Sequence, residues 1–186
     1  MHNKNEFNKK LKDFIGSDKR MALVKGYINE YKLTTVLRAL NNSDYTKGTI
    51  HTRSIGNLKQ IVDNRIIPKN ITQNTIFKLS NLTLEVNLYE RNTIYHGDFA
   101  IYYPVESALI IETDTSRLIN HINNNPVQKI FIITTNDWSF NTLELEKIVD
   151  ETIIYDLKQE DPKQYEILYK NKHANLEHLT PFPSLL

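Results

Sequence analysis

The chain has 186 residues, 40% of them hydrophobic and 24% charged, a net charge of +1 and no cysteine. The length fits one domain with enough apolar material for a proper core. The missing cysteine excludes disulfide frameworks, thiolate zinc centres and cysteine nucleophiles, and the near-neutral balance does not advertise a protein that lives on phosphate contacts.

Phe7, Leu11, Phe14 and Ile15 fall on one face of an opening amphipathic helix that ends near Gly16. The run MALVKGYI, 21–28, reads as a buried strand, and Leu33, Val36, Leu37 and Leu40 form the stripe of the helix after it. TIHTRSI, opened by Gly48, predicts a second short strand, and Leu58, Ile61 and Val62 predict a helix running up to Pro68. From residue 75 the pattern changes to alternation and β-branched residues. TIFKLSNLTLEVNLYE, DFAIYYP and ALIIETD are therefore expected as consecutive strands.

Leu118, Ile119 and Ile122 give 115–124 a helical period, and VQKIFIITT is the most convincing central strand of the chain. Asn141 with Glu144 at the third position predicts a capped helix, TIIYDL a further strand, and Pro162 the first turn of a last helix. The order of elements predicts an α/β domain over residues 1–170, with a tail at 171–186. Its expected architecture is a mixed sheet flanked by helices, with parallel crossovers and a central antiparallel hairpin unit. The opening MHNKNEFNKKLKDF lacks an export-signal core, and no stretch reaches the roughly 18 apolar residues of a membrane span, so a cytoplasmic protein is expected. The richness in Asn, Ile, Lys and Tyr suits a low-GC bacterial or mobile-element gene.

The sharpest chemical feature runs from His96 to Ser116, HGDFAIYYPVESALIIETDTS. If DFAIYY and ALIIET pair as an antiparallel hairpin, Asp98 faces Glu112, and Asp114 projects from the same side. Three converging carboxylates repel one another unless a cation sits among them, which makes Asp98, Glu112 and Asp114 candidate ligands for magnesium or manganese. His96 is the candidate general acid or base beside them. The alternative is that Asp98 and Asp114 terminate strands and help to cap the next helix.

Residues 80–136 resemble the PD-(D/E)xK nuclease superfamily on this pattern, Asp98 matching the first acid and Glu112 the second. Asp114 stands at the family's lysine position and Gly97 at its usual proline. The order of elements over 21–150 also resembles one lobe of the phospholipase-D-like nucleases, whose His-x-Lys-x(4)-Asp motif maps onto His96 with Asp98 and Tyr103 at its other two positions. Both resemblances imply a nuclease-like scaffold, the second one without its catalytic motif.

For nucleic acid, the candidate contacts are Lys9, Lys10 and Lys12 in the basic opening stretch, and Arg53 and Lys59 where a strand meets a helix. Trp138, after the central strand, either stacks on a base or partner side chain or closes over the hydrophobic core. The remaining histidines form no metal-binding pair on an expected helix face. Two functions compete. One is a metal-dependent DNA endonuclease of a defence or mobile-element system. The other is a non-catalytic regulator, inhibitor or subunit on the same scaffold, working as a homodimer or within a larger complex. A small-molecule-binding domain with its pocket at the loops after 28, 55 and 135 is a third reading.

Overall fold

A computed structural model describes residues 2–26, 29–90, 97–135 and 140–176. The elements follow in chain order as α1 (His2–Ile15), β1 (Met21–Gly26), α2 (Asn29–Asn41), β2 (Lys47–Thr52), α3 (Ile55–Ile61), β3 (Thr75–Leu79), β4 (Leu82–Leu88) and β5 (Phe99–Tyr102). A 3-10 turn (Glu106–Ala108) then leads to α4 (Glu112–Asn123), β6 (Lys129–Ile133), α5 (Leu143–Glu146), β7 (Glu151–Tyr155), α6 (Leu157–Glu160) and α7 (Pro162–Leu176). The last helix therefore continues beyond residue 170, into the stretch expected as a tail.

The strands form one seven-stranded sheet in the order β3-β4-β2-β5-β6-β1-β7. All neighbours are parallel except β3 and β4, so the sheet is mixed as expected, but its antiparallel hairpin lies at one edge and within TIFKLSNLTLEVNLYE, the stretch expected as one strand. Alternation along each strand divides the core into two layers. Val24, Ile50, Phe99, Ile101, Phe131 and Ile133 face α1, α2 and α3, whereas Leu23, Ala100, Tyr102, Ile130 and Ile132 face α4 and α5. Each fully buried Leu or Ile contributes about 2 kcal/mol to this burial. The central strands β5 and β6 are buried at every position, as their uninterrupted apolar runs require.

One expected strand does not form. ALIIETD becomes the 3-10 turn and the start of α4, because β5 already pairs β2 on one side and β6 on the other and has no free edge for a hairpin partner. Glu112 and Asp114 instead occupy the first turn of α4, where the helix dipole favours negative charge. Thr115 Oγ1 donates to Ala108 O at 2.8 Å and fastens the entry to that helix.

Two glycines fix the neighbouring strand starts. Gly97 has φ +106, and a Cβ there would lie 2.7 Å from Lys47 O, so glycine rather than the resembled family's proline lets the chain enter β5. A Cβ at Gly48 would lie within 2.5 Å of three Phe99 ring atoms, so its absence gives the ring its place in the core. Among the described residues, no helix is long and apolar enough to cross a membrane.

Candidate functional site at the carboxyl edge of the sheet

Six of the seven strands run parallel, so their carboxyl ends gather along one edge, the usual ligand position of open α/β sheets. Among the described residues, several charged side chains along that edge are paired. Arg53, just past β2, donates from Nε to Glu90 at 3.0 Å, from Nη2 to Asp114 Oδ2 at 2.7 Å, and from Nη1 to Ser107 O. Arg117 adds a second guanidinium to Asp114 at 3.4 Å. Lys25 Nζ, near the end of β1, donates to Glu146 at 2.8 Å and to Thr142 Oγ1 at 2.9 Å, and this contact holds the Glu146 carboxyl below its ordinary range.

Thr135, just past β6, joins a third group. Its O accepts from the buried Lys32 Nζ at 3.1 Å, while its N–H and hydroxyl both donate to the buried Glu106. Lys32 Nζ also donates to Gly26 O at the end of β1. Ammonium, carboxylate and three chain segments are thereby held together at the centre of the edge. Buried charges need such partners, because an isolated one would lose its hydration without return.

The three carboxylates expected to converge do not. Asp98 lies at the amino end of β5, where Oδ2 accepts from Thr46 N and Lys47 N, both at 3.0 Å, and so organises the start of β2. Asp114 lies at the opposite end of the sheet, buried against Arg53, and Glu112 is exposed on the same first turn of α4. Four residues of β5 separate the two ends, a rise of about 13 Å. Among the described residues, no group of three or more His, Asp or Glu has the geometry to hold a metal ion. His96 and Trp138 lie outside the described residues.

The expected phosphate contacts are also dispersed. Lys9 pairs Asp13 and Lys10 pairs Glu6 along α1, with Lys12 exposed on the same helix. Lys59 is exposed on α3, in the layer that covers the same face of the sheet as α1, whereas Arg53 turns to α4 on the other face. Ser54 caps α3 through Asn57 N, so the strand-to-helix turn is a structural one.

A polar cluster that sequence reading passed over lies under α4. The rings of His51 on β2 and Tyr102 on β5 stack with centroids 4.8 Å apart, and His121 of α4 meets His51 edge-on at 4.9 Å. Tyr102 OH bonds His121 Nδ1 at 2.8 Å and accepts from Asn125 Nδ2 at 3.1 Å. Burial, with a smaller contribution from His121, pulls the His51 pKa down to about 3, and burial pulls His121 down to about 4. Both are neutral imidazoles near pH 7 and do not attract phosphate. The strand period places His51 beneath a helix, but its partners come from residues 51 and 70 positions onward, which local pattern does not reveal.

No protein-family model matches the chain, and no curated protein matches it.

Proposed function

We propose that this chain is a non-catalytic binding module, a regulator or subunit of a larger assembly, on an α/β scaffold of nuclease-like element order. The observation that carries this reading is the mutual neutralisation of the charged groups described along the carboxyl edge. Asp114 is held by Arg53 and Arg117, Glu146 by Lys25, and Asp98 by backbone amides at the other end of the sheet. Neither a carboxylate set for a divalent cation nor a cluster of free cations for phosphate is left among these groups.

The same rim also presents apolar side chains to solvent. Ile110 and Ile111, between the 3-10 turn and α4, are 68% and 52% exposed, beside the Arg53–Asp114–Arg117 group. Adjacent exposed isoleucines with a charged surround are the composition of a protein–protein contact rather than of a phosphodiester site. A protein partner, a second copy of the chain included, therefore suits this rim better than DNA.

The deciding experiment is incubation of plasmid and single-stranded DNA with the purified chain and magnesium or manganese, beside an Asp98→Ala/Glu112→Ala variant. The expected result is no turnover by either protein, with weak DNA binding that vanishes by about 0.2 M salt. Metal-dependent cleavage by the parent that the double variant loses would overturn the binding-module reading in favour of the endonuclease.

A further inference from the structure

We propose that the groove between α2 and the segment joining α3 to β3 is a binding site for a small anionic amphiphile, a molecule with an apolar body and one acidic group. This goes beyond the binding-module reading and uses the sheet face opposite to α4. A cavity of about 820 Å³ opens there between Leu33, Thr34 and Arg38 of α2, the stretch from Gln60 to Asp63, Arg65, Ile66 and Tyr103, and a smaller one of about 180 Å³ continues it past Leu37 toward Leu79 and Leu82. Thr34, Arg38 and Ile66 line both, so the two form one groove along α2. The larger volume falls within the range of small-molecule sites, about 300–1,000 Å³.

The smaller cavity is mainly apolar, the larger one mixes apolar and polar side chains, and the charge is positive. Leu33, Leu37, Val62, Leu82 and Tyr103 supply buried surface, and Ile61, Ile66 and Leu79 are only partly covered. Two guanidiniums, Arg38 and Arg65, and one carboxylate, Asp63, line the larger cavity, which leaves an excess of +1. Asp63 is engaged with Arg65 at 2.7 Å, whereas Arg38 has no ion pair or side-chain hydrogen bond among the described residues.

Arg38 sits in the last turn of α2 and favours that helix end, a role that any cation there performs. That role leaves its guanidinium donors open to a ligand. A carboxylate or sulfonate at Arg38 with its apolar body laid between α2 and Ile66 satisfies the groove on both counts.

The test uses 1-anilinonaphthalene-8-sulfonate fluorescence on the full chain, with decanoate and decanol as competitors and a thermal melt on every variant. The expected result is saturable binding of one probe per chain, displaced by decanoate far better than by decanol. Arg38→Gln is expected to weaken it about tenfold, the equivalent of one charge-assisted hydrogen bond, and Arg38→Glu to weaken it further. Thr34→Trp, which fills the groove, is expected to abolish binding. Arg38 is exposed, so its two variants keep the test decisive even if the tryptophan variant fails to fold. Absence of saturable binding, equal displacement by decanol, or parent-like binding by folded Arg38→Gln and Arg38→Glu would each overturn the proposal.

Discussion

Arg53 and Asp114, 61 residues apart in the chain, meet at 2.7 Å and tie the carboxyl end of β2 to the first turn of α4. Asp114 is 7% exposed, so the contact is a largely desolvated ion pair rather than a surface one. Arg53→Ala leaves the carboxylate buried with only Arg117 at 3.4 Å, and is expected to cost about 3 kcal/mol. Asp114→Asn keeps an acceptor for Arg53 and is expected to cost about 1 kcal/mol. Urea unfolding at pH 7 measures both. A loss under about 0.5 kcal/mol for Arg53→Ala would mean that the pair behaves as solvent-exposed.

Asp98 has a different role from Asp114, and its variants separate structure from metal chemistry. Asp98→Ala removes the acceptor of Thr46 N and Lys47 N and is expected to cost about 1–2 kcal/mol. Asp98→Asn retains a side-chain oxygen and should recover part of the loss. Amide hydrogen exchange gives the local readout, with Thr46 and Lys47 exchanging faster in the alanine variant. Magnesium affinity by calorimetry should be the same in all three proteins; a selective loss in both variants would return Asp98 to the role of metal ligand.

These two acids also mark where sequence reading succeeds and where it stops. The helical stripe Leu33-Val36-Leu37-Leu40 and the buried run of β6 announce their own structure, since period and burial are local properties. The stretch IIETD does not, because β-branched residues before an acidic pair suit a strand end and a helix start equally. The choice is made elsewhere, by β2 and β6 occupying both edges of β5. Moving Glu112 and Asp114 from a hairpin to a helix carries them to the opposite end of the sheet from Asp98, so one topological fact dissolves the expected metal site. The pairings of Arg53, Lys32 and Glu106 are equally hidden from sequence, since these partners lie at long chain separations.

The His51–Tyr102–His121 cluster predicts acid sensitivity. Both histidine pKa values lie below the unfolded value of 6.5, at about 3 and about 4. The unfolded chain therefore binds more protons than the folded one between those values and 6.5, and stability rises with pH across that window. The contribution is complete above pH 6.5 and is lost as pH falls toward the folded pKa values. His51 alone should remove about 3 kcal/mol between pH 7 and pH 4. Urea midpoints at pH 7, 5 and 4 check this, and His51→Phe should flatten the profile. An unchanged profile in His51→Phe would locate the acid sensitivity in other groups.

Lys129, the first residue of β6, predicts how α1 is held to the sheet. Its ammonium donates to Phe14 O at 3.0 Å, Ser17 O at 2.7 Å and Lys19 O, and lies 4.8 Å from the centroid of the Phe14 ring. It thus satisfies carbonyls at the carboxyl end of α1, where the helix dipole favours a cation. Burial lowers its pKa, so part of what these bonds return is offset by desolvation. Lys129→Met keeps the length and apolar volume of the stem and removes every donor, leaving Ser17 O and Lys19 O without this partner. The expected cost is about 2 kcal/mol, the lower end for bonds from a charged donor because desolvation is relieved. Lys129→Arg should restore little of it, since a planar fork cannot reach three carbonyls arranged around a point charge. Equilibrium unfolding gives the magnitude, and limited trypsin digestion gives the location, with cleavage after Lys19 and Arg20 accelerated in Lys129→Met. Parent-like stability with unchanged cleavage there would mean that the ammonium costs as much to bury as its three bonds return, and that the apolar face of Phe7, Leu11 and Phe14 alone holds the helix.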